Sequence, residues 1–221
     1  AGVMLQESGT TGVLTPREIV ALFGHYYPAP MPPAQALALA GLTDKADARI
    51  GTLSGGQRQR LYFALAVCGN PDVLFLDEPT VAMDVEARRA FVASVHTLAA
   101  EGKTVVFTTH YLREAEEMAR RIVVIDHGVV IADAAPRELM ARVAAKRVAF
   151  SVADALPGGA FEGLAVTALE SSNGHVRFLT NEPEAVLRAL FARGVELRDL
   201  EVAGADLEDA FLSLTRRGDA A

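Results

Sequence analysis

A chain of 221 residues allows one large or two small domains, and a composition that is 51% apolar is enough for a core. The formal net charge of -7 gives no overall attraction to nucleic acid or anionic membrane; no apolar run approaches the ~18 to 20 residues that span a bilayer, and nothing at the start reads as a secretion signal. Cys68 is the single cysteine, which excludes an internal disulfide and points to a reducing cytoplasm, with Cys68 itself read as a small buried apolar residue.

In chain order, residues 1 to 5 read as the end of a strand. Thr15-Pro16-Arg17-Glu18 is a capping box with proline at the first helical position, and the helix it opens carries Ile19, Val20, Leu22 and Phe23 on one face. The Pro28 to Pro33 segment breaks that helix, and Ala34 to Ala40 forms another, stopped by Gly41. Ser54-Gly55-Gly56 then opens a helix from about Gln57 to Cys68. Ser54 can cap it, while the two glycines leave backbone N–H groups uncovered at the positive end of the helix dipole, where an anion can approach. Such an end contributes only ~0.3–1 kcal/mol when exposed, so it can assist a phosphate but cannot hold a nucleotide alone. Val73-Leu74-Phe75-Leu76 reads as a buried parallel strand, with Asp77 and Glu78 emerging at the carboxyl end, where open α/β sheets place their ligands. One carboxylate can hold a magnesium ion, and the other can orient or deprotonate an attacking water. Taken singly, the first block is equally a turn with a cap and the second a core strand leaving into a loop.

Val85 to Ala100 reads as a helix with Glu86, Arg88 and Arg89 on its outer face, followed by a strand ending at His110 and a helix from Leu112 to Ala119. This alternation implies a parallel sheet. Ile122 to Ile125, the Asp126-His127-Gly128 turn and Val129 to Ala132 form a hairpin, with His127 read as a turn residue, and Pro136 opens a helix to about Val143. The basic pairs Arg58 with Arg60 and Arg120 with Arg121 read as solvated faces or subunit contacts. From about Lys146 the pattern changes to strands at Val148 to Val152, Ala165 to Glu170 and Val176 to Thr180, the last two joined near Asn173-Gly174. A helix from Glu184 to Ala192 ended by Gly194, a strand from Val195 to Val202 and a helix from Leu207 to Leu214 complete a small α+β domain with no metal cluster, nucleophile or basic-aromatic surface in its sequence.

Together, in this order and spacing, Leu53 to Arg60 and Val73 to Thr80 resemble the signature and Walker B motifs of ATP-binding cassette (ABC) ATPases. Val3-Met4-Leu5-Gln6-Glu7 resembles the family's glutamine loop, Met83-Asp84 its D-loop with methionine where leucine is usual, and Val105 to His110 its switch-histidine strand. The resemblance covers about residues 1 to 140, and the closing Leu207 to Thr215 is similar to the tail of drug- and polysaccharide-exporter-type subunits, which leaves the tail's role open. It implies an α/β fold at 1–145, part of an ABC-type P-loop NTPase core with a parallel sheet and a helical subdomain at about 10–68, then a small α+β accessory domain at 146–221.

The implied activity is ATP binding and hydrolysis that powers an exporter through a separate transmembrane permease. The implied cofactors are ATP and magnesium (Mg2+), and the partners are a second ABC subunit in a homodimer and the permease, with no nucleic acid. The location is cytoplasmic, on the inner face of the membrane. In this picture Glu78 and His110 are catalytic, Asp77 and Gln6 serve the metal, and Gln6, Ser54, Gly55, Gly56, Gln57 and Asp84 contact nucleotide, Asp84 also bridging the subunits. Two alternatives stay open: the same engine used off the membrane on ribosomes or DNA, and an inactive binding or regulatory fragment. The second arises because the phosphate loop, G-x-x-x-x-G-K-[ST], should precede the glutamine loop, where this sequence starts. Thr97 to Thr104 lacks the first glycine and has the wrong context, since Gly102 ends a helix and Lys103 enters a strand. The expectation is therefore that these residues by themselves bind nucleotide weakly, show no appreciable hydrolysis, and expose an apolar side of the sheet at some cost in solubility.

Overall fold

The computed structural model describes residues 1–6, 9, 11–142, 146–152 and 156–211. Within these the chain forms two compact units, Ala1–Met118 and Ala119–Ala221.

In the first unit the elements are β1 (Gly2–Met4), α1 (Pro16–Gly24), α2 (Pro33–Leu39), α3 (Gly55–Val67), β2 (Val73–Leu76), α4 (Val85–Ala100), β3 (Thr104–Phe107) and α5 (Leu112–Met118), with 3-10 turns at Thr43–Lys45 and Ile50–Thr52. The strands form a parallel sheet in the order β1-β2-β3. Alternate residues of a strand face opposite sides, so Met4, Leu74 and Leu76 enter the core, while Val3, Phe75 and Val106, paired in register, form a row that is 56, 47 and 48% exposed. The Val73-Leu76 strand is thus buried on one face only, because no described residue covers the Phe75 side.

The helices stack on the buried face. Both arms of the Thr15–Glu18 box form, at 3.2 and 2.8 Å. The buried side of α1 is Pro16, Ile19, Val20 and Gly24, at the i, i+3, i+4, i+8 spacing of one helical stripe, so Leu22 and Phe23 lie outside it and are exposed. Proline takes the first position of α2, one residue earlier than the sequence pattern suggests. Gly2 lets β1 lie against α3, since a Cβ there would meet the Ala66 carbonyl oxygen at 2.0 Å. Phe63 of α3 meets Phe91 of α4 edge-on at 4.9 Å in the middle of this core. Cys68 is fully buried, and burial pushes its thiol pKa up, which leaves it unreactive.

In the second unit, β4 (Ile122–Asp126) and β5 (Val129–Ala134) form an antiparallel ribbon. His127 and Gly128 take φ of 44 and 79° at its tip, as a two-residue primed turn requires. α6 (Pro136–Arg142) comes next; Val143, where the sequence pattern ends this helix, lies outside the described residues. β6 (Lys146–Ser151), β7 (Thr167–Ser172), β8 (His175–Thr180) and β9 (Arg198–Gly204) make an antiparallel sheet in the order β7-β8-β6-β9, with α7 (Pro183–Ala192) between β8 and β9 in sequence. Val148, Phe150, Val176, Phe178, Val186 and Leu190 form its core.

Two strands begin later than their apolar pattern suggests. Val195 is captured by the end of α7: its N–H donates to the Leu190 carbonyl at 3.1 Å while Gly194, at φ 75°, donates to Phe191 at 3.0 Å, so β9 starts only at Arg198. Ala165 and Val166 are used in a tight turn, Val166 donating to Leu164 at 2.9 Å and the Ala165 carbonyl accepting from the Thr180 hydroxyl at 2.7 Å.

Residues 207–211 of the closing helix are described; Leu212 to Thr215 of the exporter-like tail lie outside the described residues. Asp206 and Asp209 each accept the other's N–H, at 2.9 and 3.0 Å, and Arg147 and Arg177 pair with them. Burial raises the Asp206 pKa, but the Asp209 N–H and the Arg147 charge outweigh it, and the net shift is downward. A depressed carboxylate contributes stability that is complete above its unfolded pKa of about 3.9 and is lost as pH falls through the lower folded value. Acid titration of unfolding is therefore expected to show wild type losing stability below about pH 4 more steeply than Asp206→Asn.

Candidate functional site

Parallel pairing of β2 and β3 brings their two carboxyl ends side by side, and one hydroxyl ties together the residues just beyond them. Thr108 extends the ladder, its N–H donating to the Leu76 carbonyl at 2.9 Å. Its Oγ1 accepts the Glu78 N–H at 3.0 Å and donates to Asp77 Oδ1 at 2.5 Å. Asp77 N–H is held by the Met4 carbonyl at 2.9 Å, so all three strands fix this corner. Glu78 sits at φ 43°, a conformation that non-glycine residues adopt only when their surroundings impose it. Its Oε1 lies 3.1 Å from His110 Nδ1, and Asp77 is exposed beside it. The structure thus brings Asp77, Glu78 and His110 together at the strand ends.

At the start of α3 the Ser54 hydroxyl accepts the Gln57 N–H at 3.3 Å and the Gln57 side-chain oxygen accepts the Ser54 N–H at 2.9 Å. This box consumes the Gln57 side chain locally and leaves the N–H groups of Gly55 and Gly56 as the donors for which the first turn has no intrahelical use. Ser54 and Gly55 are exposed, whereas Gly56 is pinned: a Cβ there would meet the Ala82 carbonyl oxygen at 2.7 Å and Met83 Cα at 3.5 Å. Gly56→Ala must push the helix end away from the Ala82–Met83 backbone; we expect a loss of about 1–3 kcal/mol in chemical denaturation, whereas Gly55→Ala, whose Cβ would find only ordinary contact with Ala82, stays within about 1 kcal/mol.

Met83 fills the core where leucine is usual in the resembled motif. Asp84 caps α4, accepting the Ala87 N–H at 2.8 Å, a role in its own chain that the sequence reading did not assign. Gln6 is exposed, and its carbonyl oxygen is 3.4 Å from Nε2 of the buried Gln59, whose Oε1 has no partner among the described residues.

The ABC transporter family model matches residues 4–81, which run from the last residue of β1 to the turn after β2. Nod factor export ATP-binding protein I of Burkholderia thailandensis is 38% identical over 98% of this chain and 72% of its own length. This chain is an ATP-binding subunit of the ABC transporter family. The same protein of Rhizobium sp. is 34% identical over 98% of the chain and 72% of its length. Among solved structures, the dimeric post-hydrolysis state of the ATP-binding cassette MJ0796 bound to ADP and Pi matches with a TM-score of 0.55 at 28% identity, over 61% of this chain and 62% of that one. A bacterial Atm1-family ABC exporter with ATP bound shares the fold, with a TM-score of 0.55 at 23% identity over 64% of this chain and 26% of that one. The complete ABC subunit is an ATPase and binds nucleotide, and such cassettes work as dimers.

In this ABC subunit the sequence reading missed a buried carboxylate. Glu114 of α5 accepts from the hydroxyls of Thr80 and Thr109, and Arg88 sits beside it rather than on the outer face of α4, its guanidinium 5.1 Å over the Tyr111 ring. Thr80 and Glu114 are 34 residues apart, so no local spacing announces the contact. Among the described residues no group of three or more His, Cys, Asp or Glu could hold a metal. The donor set fits magnesium all the same, since that ion keeps several waters and takes one or two carboxylates plus phosphate oxygens, and Asp77 offers one exposed carboxylate. No helix among the described residues is long and apolar enough to cross a membrane.

Proposed function

We propose that this exporter subunit hydrolyses magnesium–ATP as half of a head-to-tail homodimer and drives a separate membrane permease. The observation that carries this reading is the 3.1 Å Glu78–His110 pair beside exposed Asp77 at the ends of adjacent parallel strands. Asp77 would hold the magnesium ion, which when bound would supply charge neutralisation on the phosphates. Glu78, fixed by Thr108, orients the attacking water and accepts its proton, while His110 donates to the terminal phosphate; positioning and electrostatics dominate this chemistry. Gln6, exposed beyond β1, would also serve the metal. Ser54, Gly55 and Gly56 close over the nucleotide of the partner subunit, with Gln57 fixing the loop and Asp84 at the subunit boundary.

We assign 1–145 to the ATPase portion and 146–221 to the accessory domain. The relatives named for Nod factor export favour export, with the subunit peripheral on the inner face of the cell membrane. The G-x-x-x-x-G-K-[ST] element is not among these 221 residues, so turnover is to be measured on a subunit that carries it. Phosphate release from ATP by that subunit should require magnesium and rise when the permease is present; hydrolysis unaffected by chelation of the metal would refute the assignment.

A further inference from the structure

We propose that Glu114 is a positioning residue for hydrolysis, a buried carboxylate that holds the loop bearing Glu78 and the loop bearing His110 in one register. The inference rests on the catalytic roles proposed for those two residues. Glu114 is 3% exposed, and a carboxylate taken out of water is unfavourable unless its lone pairs are filled. The Thr80 hydroxyl sits astride its two oxygens at 2.7 and 2.8 Å, and the Thr109 hydroxyl donates to Oε2 at 3.0 Å. Arg88 Nε lies 3.2 Å from Oε1, near enough to pair charges although not aligned as a hydrogen bond.

The places these partners occupy carry the inference. Thr80 is two residues beyond Glu78, in the turn where the Val81 and Met83 N–H groups fold back on the carbonyls of Glu78 and Thr80. Thr109 directly precedes His110, and its Oγ1 also accepts the Tyr111 N–H at 2.9 Å, closing the backbone around the histidine. A second route runs through rings: Arg88 lies over Tyr111, whose ring is 4.1 Å from that of His110. The Glu114 carboxylate is held by Thr80, Thr109 and Arg88 rather than by Glu78 or His110 themselves, so it acts through their neighbours. A tie needed for stability alone would be served as well by apolar packing, whereas hydroxyls aimed at one carboxylate fix directions as well as distances.

In the complete subunit, Glu114→Ala should lower kcat by about tenfold to a hundredfold with KM for ATP within about threefold. Glu114→Gln, which keeps an acceptor in place, should recover part of the loss. Leu98→Ala, a core truncation in α4, serves as a control for stability and should keep kcat within about twofold at a temperature where the protein is folded. A crystal structure of Glu114→Ala should show the Glu78–His110 contact opened. Unchanged kcat, or a contact kept at its original distance, overturns the proposal. Should Glu114→Ala fail to fold, Thr109→Val takes its place, with a loss of about fivefold expected in kcat and an unchanged kcat overturning the proposal. Full hydrolysis by Glu78→Gln sinks the underlying reading of the site; an inactive Glu78→Gln beside a fully active Glu114→Ala sinks this inference alone.

Discussion

Glu78→Gln, placed in a subunit that carries the phosphate loop, is expected to lower ATP turnover by about 10² to 10⁴ while ATP still binds. The amide is the same size, so it can keep the φ 43° turn that the Thr108 hydroxyl holds from below and can still face His110. What it loses is the ability to take a proton from the attacking water and the negative charge that aligns that water. The effect should therefore fall on kcat with little change in KM. Steady-state hydrolysis together with equilibrium nucleotide binding checks both halves, and undiminished turnover would remove Glu78 from the catalytic role.

Phe63→Ala is expected to destabilise the first unit by about 3–5 kcal/mol, a large share of the ~5–15 kcal/mol that a typical domain has. Phe63 is 0% exposed and meets Phe91 edge-on, so the truncation removes both the buried ring and its aromatic partner contact. It also loosens α3 from α4, the two helices whose N-terminal ends carry Ser54 and Asp84. Thermal unfolding should fall by roughly 10 °C or more, whereas Tyr26→Ala, at an exposed position, should stay within about 0.5 kcal/mol. A Phe63→Ala protein as stable as wild type would mean that this ring pair does not join the two helices.

The parts legible in the sequence were those whose signal is local. The Thr15–Glu18 box and the Ser54 cap are each set within four residues of chain, and both form, although the returning Gln57 arm that makes the Ser54 cap a full box was not read. Asn173-Gly174 and His127-Gly128 announce turns because their backbones must take positive φ, and both do. The face of β2 was not legible, since Val73 to Leu76 are apolar on both sides and periodicity cannot say which side is covered. The start of β9 was misplaced because Val195 reads as strand by type but serves as the hydrophobic stop of α7. The meeting of Asp77 and Glu78 with His110 came from family resemblance, not from spacing, since parallel pairing joins segments about 30 residues apart. Glu114 was invisible for the same reason: inside the ordinary helical run Leu112–Met118, only the tertiary fold turns one of several glutamates inward.

The central claim is that the glycine-opened end of α3 in one subunit and the Asp77–Glu78 corner of its partner act on the same nucleotide. Subunits carrying Gly55→Asp and subunits carrying Glu78→Gln, each inactive alone, can be mixed and assayed for phosphate release. If the sites are shared, a mixed dimer holds one site with both elements intact, and mixing restores measurable hydrolysis. If each subunit builds its own site, every site in the mixture is broken, and the mixture stays as inactive as its components.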